Sequence, residues 1–354
     1  MHHINNNELA VFAVLLLLLS LMGQIIVMNK ADEVNYKPTI KKVTGKASAT
    51  GIVKLSIRYP LSSLNFTAIL ADDNESVFLS WKDYLVDNYS IYATENLSAG
   101  FNYSDPLAEG LTVFNYTDSN ARNYQQRYYK LSIWENGTET TASETVGKFD
   151  IPIHFADGNP AGYELNQVSL PLIPNNLSFD NIVRWGTNGD IVLRFNTSDL
   201  GATFEGWETN LKAGGQWIHQ FDFMSNLEGY VFIGVQNPYN LTVVGGVPEG
   251  DVTVPMQTVS GNPAAYEMML LGWNSLKTNC NLEGALNTTI PPGTVIWFNT
   301  TDIGGTYEGW DTYILLFNGT DWDWFPSGGC MRPDRGYRFL SIGAPYNWTY
   351  DRTI

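Results

Sequence analysis

Two hydrophobic patterns divide the chain. Residues 9–28 form an apolar run of 20 residues without a charge, the length a helix needs to cross a hydrocarbon core roughly 30 Å thick. From residue 51 onward, apolar positions alternate with polar ones over short stretches bounded by Asn, Asp, Gly and Ser, the period of a half-buried β-strand. Strands are predicted over 51–59, 76–81, 89–93, 111–116 and 127–135, and no helical period competes there. In the last of these, Tyr129, Leu131 and Ile133 share one face and are predicted to point inward, with Lys130 and Ser132 outward. Residues 190–195, 229–235, 294–298 and 337–342 read as further strands. Between the apolar run and the first strand, residues 29–46 carry Lys, Asp, Glu and Pro without apolar periodicity and read as a stalk.

The pattern also repeats. Residues 195–209 return as 298–312, 103 positions later, with ten of fifteen identical. The same offset aligns 158–164 with 261–267. After four inserted residues, 229–232 matches 336–339 and 238–242 matches 345–349. More than half the chain is therefore two copies of a module of about 100 residues, the size of an independently folding domain. Tandem modules of this kind point to surface, adhesive or structural proteins.

The order and wording of the earlier strands carry a resemblance. Ser76-Val77-Phe78-Leu79-Ser80-Trp81 resembles the second strand of a fibronectin type III domain, which ends in a core tryptophan. Asn88 to Tyr92 resembles the third strand, Tyr116-Thr117-Asp118 followed by residues 127–131 the approach to the sixth, and residues 136–140 the turn before the seventh. The resemblance covers roughly 48–150 and implies a seven-stranded sandwich serving as a spacer or binding module, without catalysis. After a linker at Val146-Gly147-Lys148-Phe149, the segment Val168-Ser169-Leu170-Pro171-Leu172 is similar to the opening of β modules that follow fibronectin-like domains in archaeal surface proteins. The expected fold is all-β: an N-terminal transmembrane helix, a fibronectin type III-like sandwich, then two tandem homologous β-sandwich-like modules. The expected boundaries are a tail at 1–8, an anchor or signal peptide at 9–28, a stalk at 29–46, the fibronectin-like domain at 47–154, and repeats at 158–257 and 258–354.

The apolar run fits two readings. Residues 9–22 suit the core of a signal peptide, with a tolerable cleavage site at Leu21-Met22-Gly23, whereas residues 24–28 prolong the run as an uncleaved anchor would. Lys30, Lys37, Lys41 and Lys42 follow it, which by charge alone places the C-terminal side inside. The sequons argue the opposite orientation. A pilin-type leader would need basic residues before Leu9, and there is no Lys or Arg there.

Fourteen Asn-x-Ser/Thr sequons begin at Asn65, Asn74, Asn88, Asn96, Asn102, Asn115, Asn136, Asn176, Asn196, Asn240, Asn287, Asn299, Asn318 and Asn347, all beyond the apolar run. With 33 Asn and 50 Ser plus Thr in 354 residues, chance placement gives about 5, so the excess favours export and N-glycosylation. The competing reading is that these residue types are common in β turns. Two sequons recur in both copies, Asn196 with Asn299 and Asn240 with Asn347, which weakens that reading. Cys280 and Cys330 are the only cysteines, both in the second repeat, and read either as a disulfide of an exported module or as two buried thiols.

Charge and chemistry narrow the function. A net charge of −16, from 20 basic and 36 acidic side chains, argues against nucleic acid, whose phosphates demand Lys and Arg. Asp199 with Glu205, and Asp302 with Glu308, sit where a glycosidase would want paired carboxylates. Their duplication favours a glycine-bearing turn whose tryptophan enters the core, with a cation held by these oxygens as the alternative. His154 and His219 belong to no catalytic set, and four His give a zinc site too few ligands. Trp322 and Trp324, two apart in an extended segment, either stack on sugar rings or fill a core. The sequence thus points to a non-enzymatic, membrane-anchored, N-glycosylated cell-surface protein, without cofactors beyond its glycans. Its expected partners are the membrane, other envelope proteins or its own copies, and extracellular glycans. A carbohydrate-binding array is the alternative within the non-enzyme class, and a glycan-active hydrolase the alternative outside it.

Overall fold

A computed structural model describes residues 64–84, 86–154, 164–195, 207–256, 267–276, 293–298, 310–317, 322–325, 330–341 and 346–352. The apolar run 9–28 and the strand expected at 51–59 lie outside these residues. Among the described residues no helix is long and apolar enough to cross a membrane.

The first seven strands are β1 (Thr67–Leu70), β2 (Val77–Ser80), β3 (Asn88–Thr94), β4 (Ala108–Leu111), β5 (Asn115–Asp118), β6 (Gln126–Glu135) and β7 (Thr138–Ile153). They form one sheet in the order β1-β2-β5 and a second containing β4-β3-β6-β7. Leu79, Trp81, Tyr89, Ile91, Tyr129 and Leu131 fill the space between them. This is the fibronectin type III-like β-sandwich. The stretch read as one strand at 111–116 is two, because the chain leaves β3's sheet after Leu111 and joins β2's at Asn115. Val113 and Phe114 at that crossing are 51% and 40% exposed.

Alternation on β6 holds for Tyr129 and Leu131, both fully buried, but Ser132 is buried too. Large side chains cover the outer face of the sheet around it. Ser132 lies opposite Ser90 on β3, between the larger Tyr92 and Trp134 of the same face, and Trp134 donates its indole N–H to Ser90 Oγ at 3.0 Å. Farther along, Tyr128 enters the core of the next module.

The linker expected at 146–149 is the centre of a strand. β7 runs on for 16 residues, pairing with β6 on one side and, over 146–153, with β13 (Tyr239–Gly246) on the other. Lys148, part of that expected linker, is 2% exposed. Its ammonium donates to the Asp150 carboxylate and to the carbonyls of Tyr124 at 2.8 Å and Ala121 at 3.2 Å. A buried ammonium needs such partners to offset its lost hydration.

Each repeat folds alike. The first contains β8 (Glu164–Ser169), a helical turn α1 (Phe179–Ile182), β9 (Ile191–Phe195), β10 (Trp207–Ala213), β11 (Gln216–Ile218), β12 (Gly229–Gly234) and β13. β14 (Asp251–Met256) leads into β15 (Glu267–Gly272), β16 (Gly293–Phe298), β17 (Trp310–Phe317), β18 (Trp322–Phe325), β19 (Gly336–Ser341) and β20 (Tyr346–Asp351). The sheet orders are β11-β10-β9-β12-β8 and β18-β17-β16-β19-β15, strand for strand the same. Each five-stranded sheet packs on a two-strand pairing, β7 with β13 or β14 with β20, through equivalent residues. Ile151, Tyr230, Phe232 and Leu241 in one core stand where Val254, Tyr337, Phe339 and Trp348 stand in the other.

The pairings share one register. Asn240 lies opposite Pro152 and Asn347 opposite Pro255; Leu241 lies opposite Ile151 and Trp348 opposite Val254. The structural unit therefore includes a strand ahead of the repeated sequence, β7 for the first copy and β14 for the second.

Candidate functional site

The two copies meet through equivalent backbone. The isolated bridge Val168 to Arg335 has its counterpart in Leu271 to Glu228. Ser169 N donates to Asp334 O at 3.3 Å, and Gly272 N donates to Leu227 O at 3.0 Å. Such reciprocal contacts are those of an isologous interface, here within one chain. Gly336 and Gly229 make it possible: a Cβ on Gly336 would stand 2.9 Å from Val168 O and 3.3 Å from Gly229 Cα. Trp207 of the repeated motif does not enter a core. It is half-buried at this seam, edge-on to Phe195 at 5.2 Å and under the Arg338 guanidinium at 5.9 Å. Burial holds Arg338 at about 10, below its ordinary value.

The repeated acidic motif connects the β9–β10 and β16–β17 hairpins, whose last paired residues are Phe195 with Trp207 and Phe298 with Trp310. Asp199, Glu205, Asp302 and Glu308 themselves lie outside the described residues. Trp322 and Trp324 stand on β18 opposite Phe317 and Leu315; their side chains are also outside. Cys330 is disulfide-bonded, and Cys280, the only other cysteine, lies outside. His219 Nε2 is 3.3 Å from Asp180 Oδ1, with its ring edge-on to Phe179. Burial, and then the charge of Arg335, hold the His154 imidazole below its usual range.

Ten sequon asparagines are described, at 65, 74, 88, 96, 102, 115, 136, 176, 240 and 347; eight are exposed, Asn74 and Asn88 are half-buried, and none is buried. Asn196, Asn287, Asn299 and Asn318 lie outside. Six of the ten have a local reason to be asparagine. Asn65, Asn74 and Asn136 have φ of 49°, 57° and 52°, a left-handed backbone that asparagine tolerates. At Asn96, Asn102 and Asn176, Oδ1 accepts the N–H of the residue two ahead, the sequon serine, an Asx-turn. The other four, Asn88, Asn115, Asn240 and Asn347, lie in strands, where asparagine is disfavoured. No turn explains them.

One cleft gathers residues from distant parts of the chain. Its volume is about 240 Å³. Lys148 and Asp150 of β7, with Tyr239, Asn240 and Thr242 of β13, line it from the pairing that joins the sandwich to the first repeat. Asn74, Glu75 and Arg122 line it from the fibronectin-like side, and Trp185, just past α1, from the repeat. Trp185 is 44% exposed, and among the described residues no ring or cation stacks on it. The charges are paired off. Arg122 Nη1 lies 3.1 Å from Glu75 Oε2, Lys148 is held by Asp150, and Thr242 Oγ1 donates to Asp150 Oδ1 at 2.7 Å. Arg184 Nη1 donates to Asn74 Oδ1 at 3.0 Å. An aromatic face beside neutralised polar groups suits a neutral hydroxylated ligand better than an anion. None of Trp185, Lys148 and Arg122 stands out in the sequence, because their meeting depends on β7 running through the supposed linker.

The chain was compared with known proteins. No family model matches the chain, and no curated protein matches it. Among solved structures, an Fn3-like protein from Clostridium thermocellum is similar at 23% identity and a TM-score of 0.20, over 23% of this chain and 88% of that one.

Proposed function

We propose that this chain is a membrane-anchored, N-glycosylated protein of the cell envelope with a structural or adhesive role on the extracellular side, as a surface-layer component or filament subunit. The supporting observation is the placement of Asn240 and Asn347. Both are exposed, in equivalent strands, at the same register opposite a proline, and neither turn geometry nor backbone conformation asks for asparagine there. A glycan acceptor does. In this reading residues 9–28 are the anchor, and the two repeats and the sandwich are exported. The acidic hairpin motif serves as a connection in this account, not as a catalytic pair. Envelope neighbours or further copies of the chain are the partners.

Peptide mapping of protein from the source cell tests it. Glycans are expected on most sequons, Asn240 and Asn347 among them, with an intact mass well above 39.5 kDa that falls on deglycosylation. Unmodified asparagine at both repeat-equivalent strand positions would remove the proposal's main support. The carbohydrate-binding reading is kept alive by one observation, the exposed Trp185 in a charge-balanced cleft.

A further inference from the structure

The cleft has a property that neither repeat nor sandwich supplies alone. Asn74 and Asn240 are 166 positions apart, each begins a sequon, and both line it beside Trp185. Asn74 uses Oδ1 to accept from Arg184, leaving its Nδ2 for attachment. Asn240 projects from the face of β13 opposite the buried Leu241 and Val243, which is the face that forms the cleft. A sugar joined to either asparagine therefore begins inside the cleft, within the same few residues as the indole.

We propose that the cleft is a seat for one pyranose ring, with its C–H face on Trp185 and its hydroxyls toward Asp150, Thr242 and Glu75. The apolar face of a sugar packs on an aromatic ring as any apolar surface does, while its hydroxyls keep polar partners. At about 240 Å³ the space is smaller than the roughly 300–1,000 Å³ of sites for drug-sized ligands, which limits it to a single small unit. Two cations and two anions line it, and both of these cations are already paired, while Arg184 beside it spends its guanidinium on the side chain of Asn74 and on Asn181, so no lining residue offers a phosphate or carboxylate an unpaired charge. The sugar can come from a glycan on Asn240 or Asn74, in which case the seat rests on the glycoprotein reading. It can also come from a separate saccharide, in which case it does not.

Hydroxyl-radical footprinting of Trp185 on the full chain separates these sources. In glycosylated protein with Asn240 or Asn74 occupied, Trp185 is expected to oxidise several-fold more slowly than in the Asn74→Gln/Asn240→Gln double variant. Asn347→Gln, which removes the repeat-equivalent site on the second repeat's pairing, outside the cleft lining, should change nothing. In protein made without N-glycosylation, N,N′-diacetylchitobiose and maltose are the free probes. Saturable protection of Trp185 by either, with binding heat lost in Trp185→Ala and kept in Trp185→Phe, assigns the seat to a separate saccharide. Asparagines found unmodified in source material count against the glycoprotein reading at these positions, and the free-probe arm then decides the seat. Equal oxidation of Trp185 with and without attached glycan, together with no protection by either probe, would overturn the proposal.

Discussion

The two repeats have the same sheet order and the same register, yet they are held differently. The first takes its leading strand from a neighbour: β7 is at once the last strand of the fibronectin-like sandwich and the partner of β13. The second pairs β20 with β14, which has no other strand partner among the described residues. The second repeat is also the one with the disulfide. What differs is where order comes from. A strand fixed on both sides has already lost most of its conformational freedom to the neighbouring domain, so the first copy orders fewer new residues when it folds. The second gains part of its order from a cross-link that restricts its unfolded chain.

The sharpest way to break this comparison is to place proline at one equivalent position in both copies. Phe149 on β7 and Val252 on β14 occupy the same register, opposite Val243 and Tyr350. Phe149→Pro removes a donor from a strand flanked on both sides and also deletes a buried ring, for a loss of at least ~3 kcal/mol. Sandwich and first repeat should lose amide-exchange protection together. Val252→Pro should loosen the second repeat while β3 and β6 keep their protection. If Phe149→Pro left the sandwich protected, the two domains would not share β7 as one cooperative element.

Reduction of the disulfide is the next test. Closing a loop of about 50 residues is worth on the order of 4 kcal/mol in the chain-entropy model. Reduced protein should therefore show a lower unfolding midpoint for probes in β19 and β20 and an unchanged one for probes in β3 and β6. A uniform drop across all probes would mean that the cross-link stabilises the whole chain rather than one copy.

The smallest expected effect concerns the seam between the copies. Gly336→Ala puts a methyl group 2.9 Å from Val168 O, and overpacking of this kind costs about 1–3 kcal/mol. Gly137→Ala adds a methyl at a position with nothing within 4 Å but with φ of 72°. Its cost is backbone strain alone, felt in the sandwich. Urea denaturation followed by tryptophan emission and by exchange at β8 distinguishes the two.

Much of this fold was legible in the sequence wherever one face of a strand was buried and the other was not. Residues 76–81, 89–93 and 127–135 carry that alternation and became β2, β3 and β6. The duplication was legible because the hairpin motif and the Tyr-Asn segments kept their wording. The Gly-Tyr pairs kept theirs too: Tyr230 and Tyr337 each accept a backbone N–H from the residue five earlier, Ser225 and Arg332, at 2.6 and 2.5 Å. The leading strand of each unit was not legible. Residues 148–153 and 251–256 share little beyond Pro152 and Pro255, since a strand that pairs on both sides and one that pairs on one side face different neighbours. Gly147 and Lys148 read as a linker because alternation says nothing about an ammonium satisfied by two carbonyls and a carboxylate. The cleft was invisible for the same reason, as Asn74, Arg122, Trp185 and Asn240 converge only once β7 is continuous.

That continuity also decides how the sandwich and the first repeat respond to mechanical load. Beads on a string bend at the string, where a few backbone torsions rotate without breaking any contact. Here the connecting segment is itself laddered, on one side to β6 and on the other to β13, from Val146 to Phe149. Bending the joint means shearing several parallel hydrogen bonds at once, and a stretch along β7 loads them side by side instead of one after another. The junction therefore transmits force and orientation as a stiff splice, holding a fixed angle between the two domains.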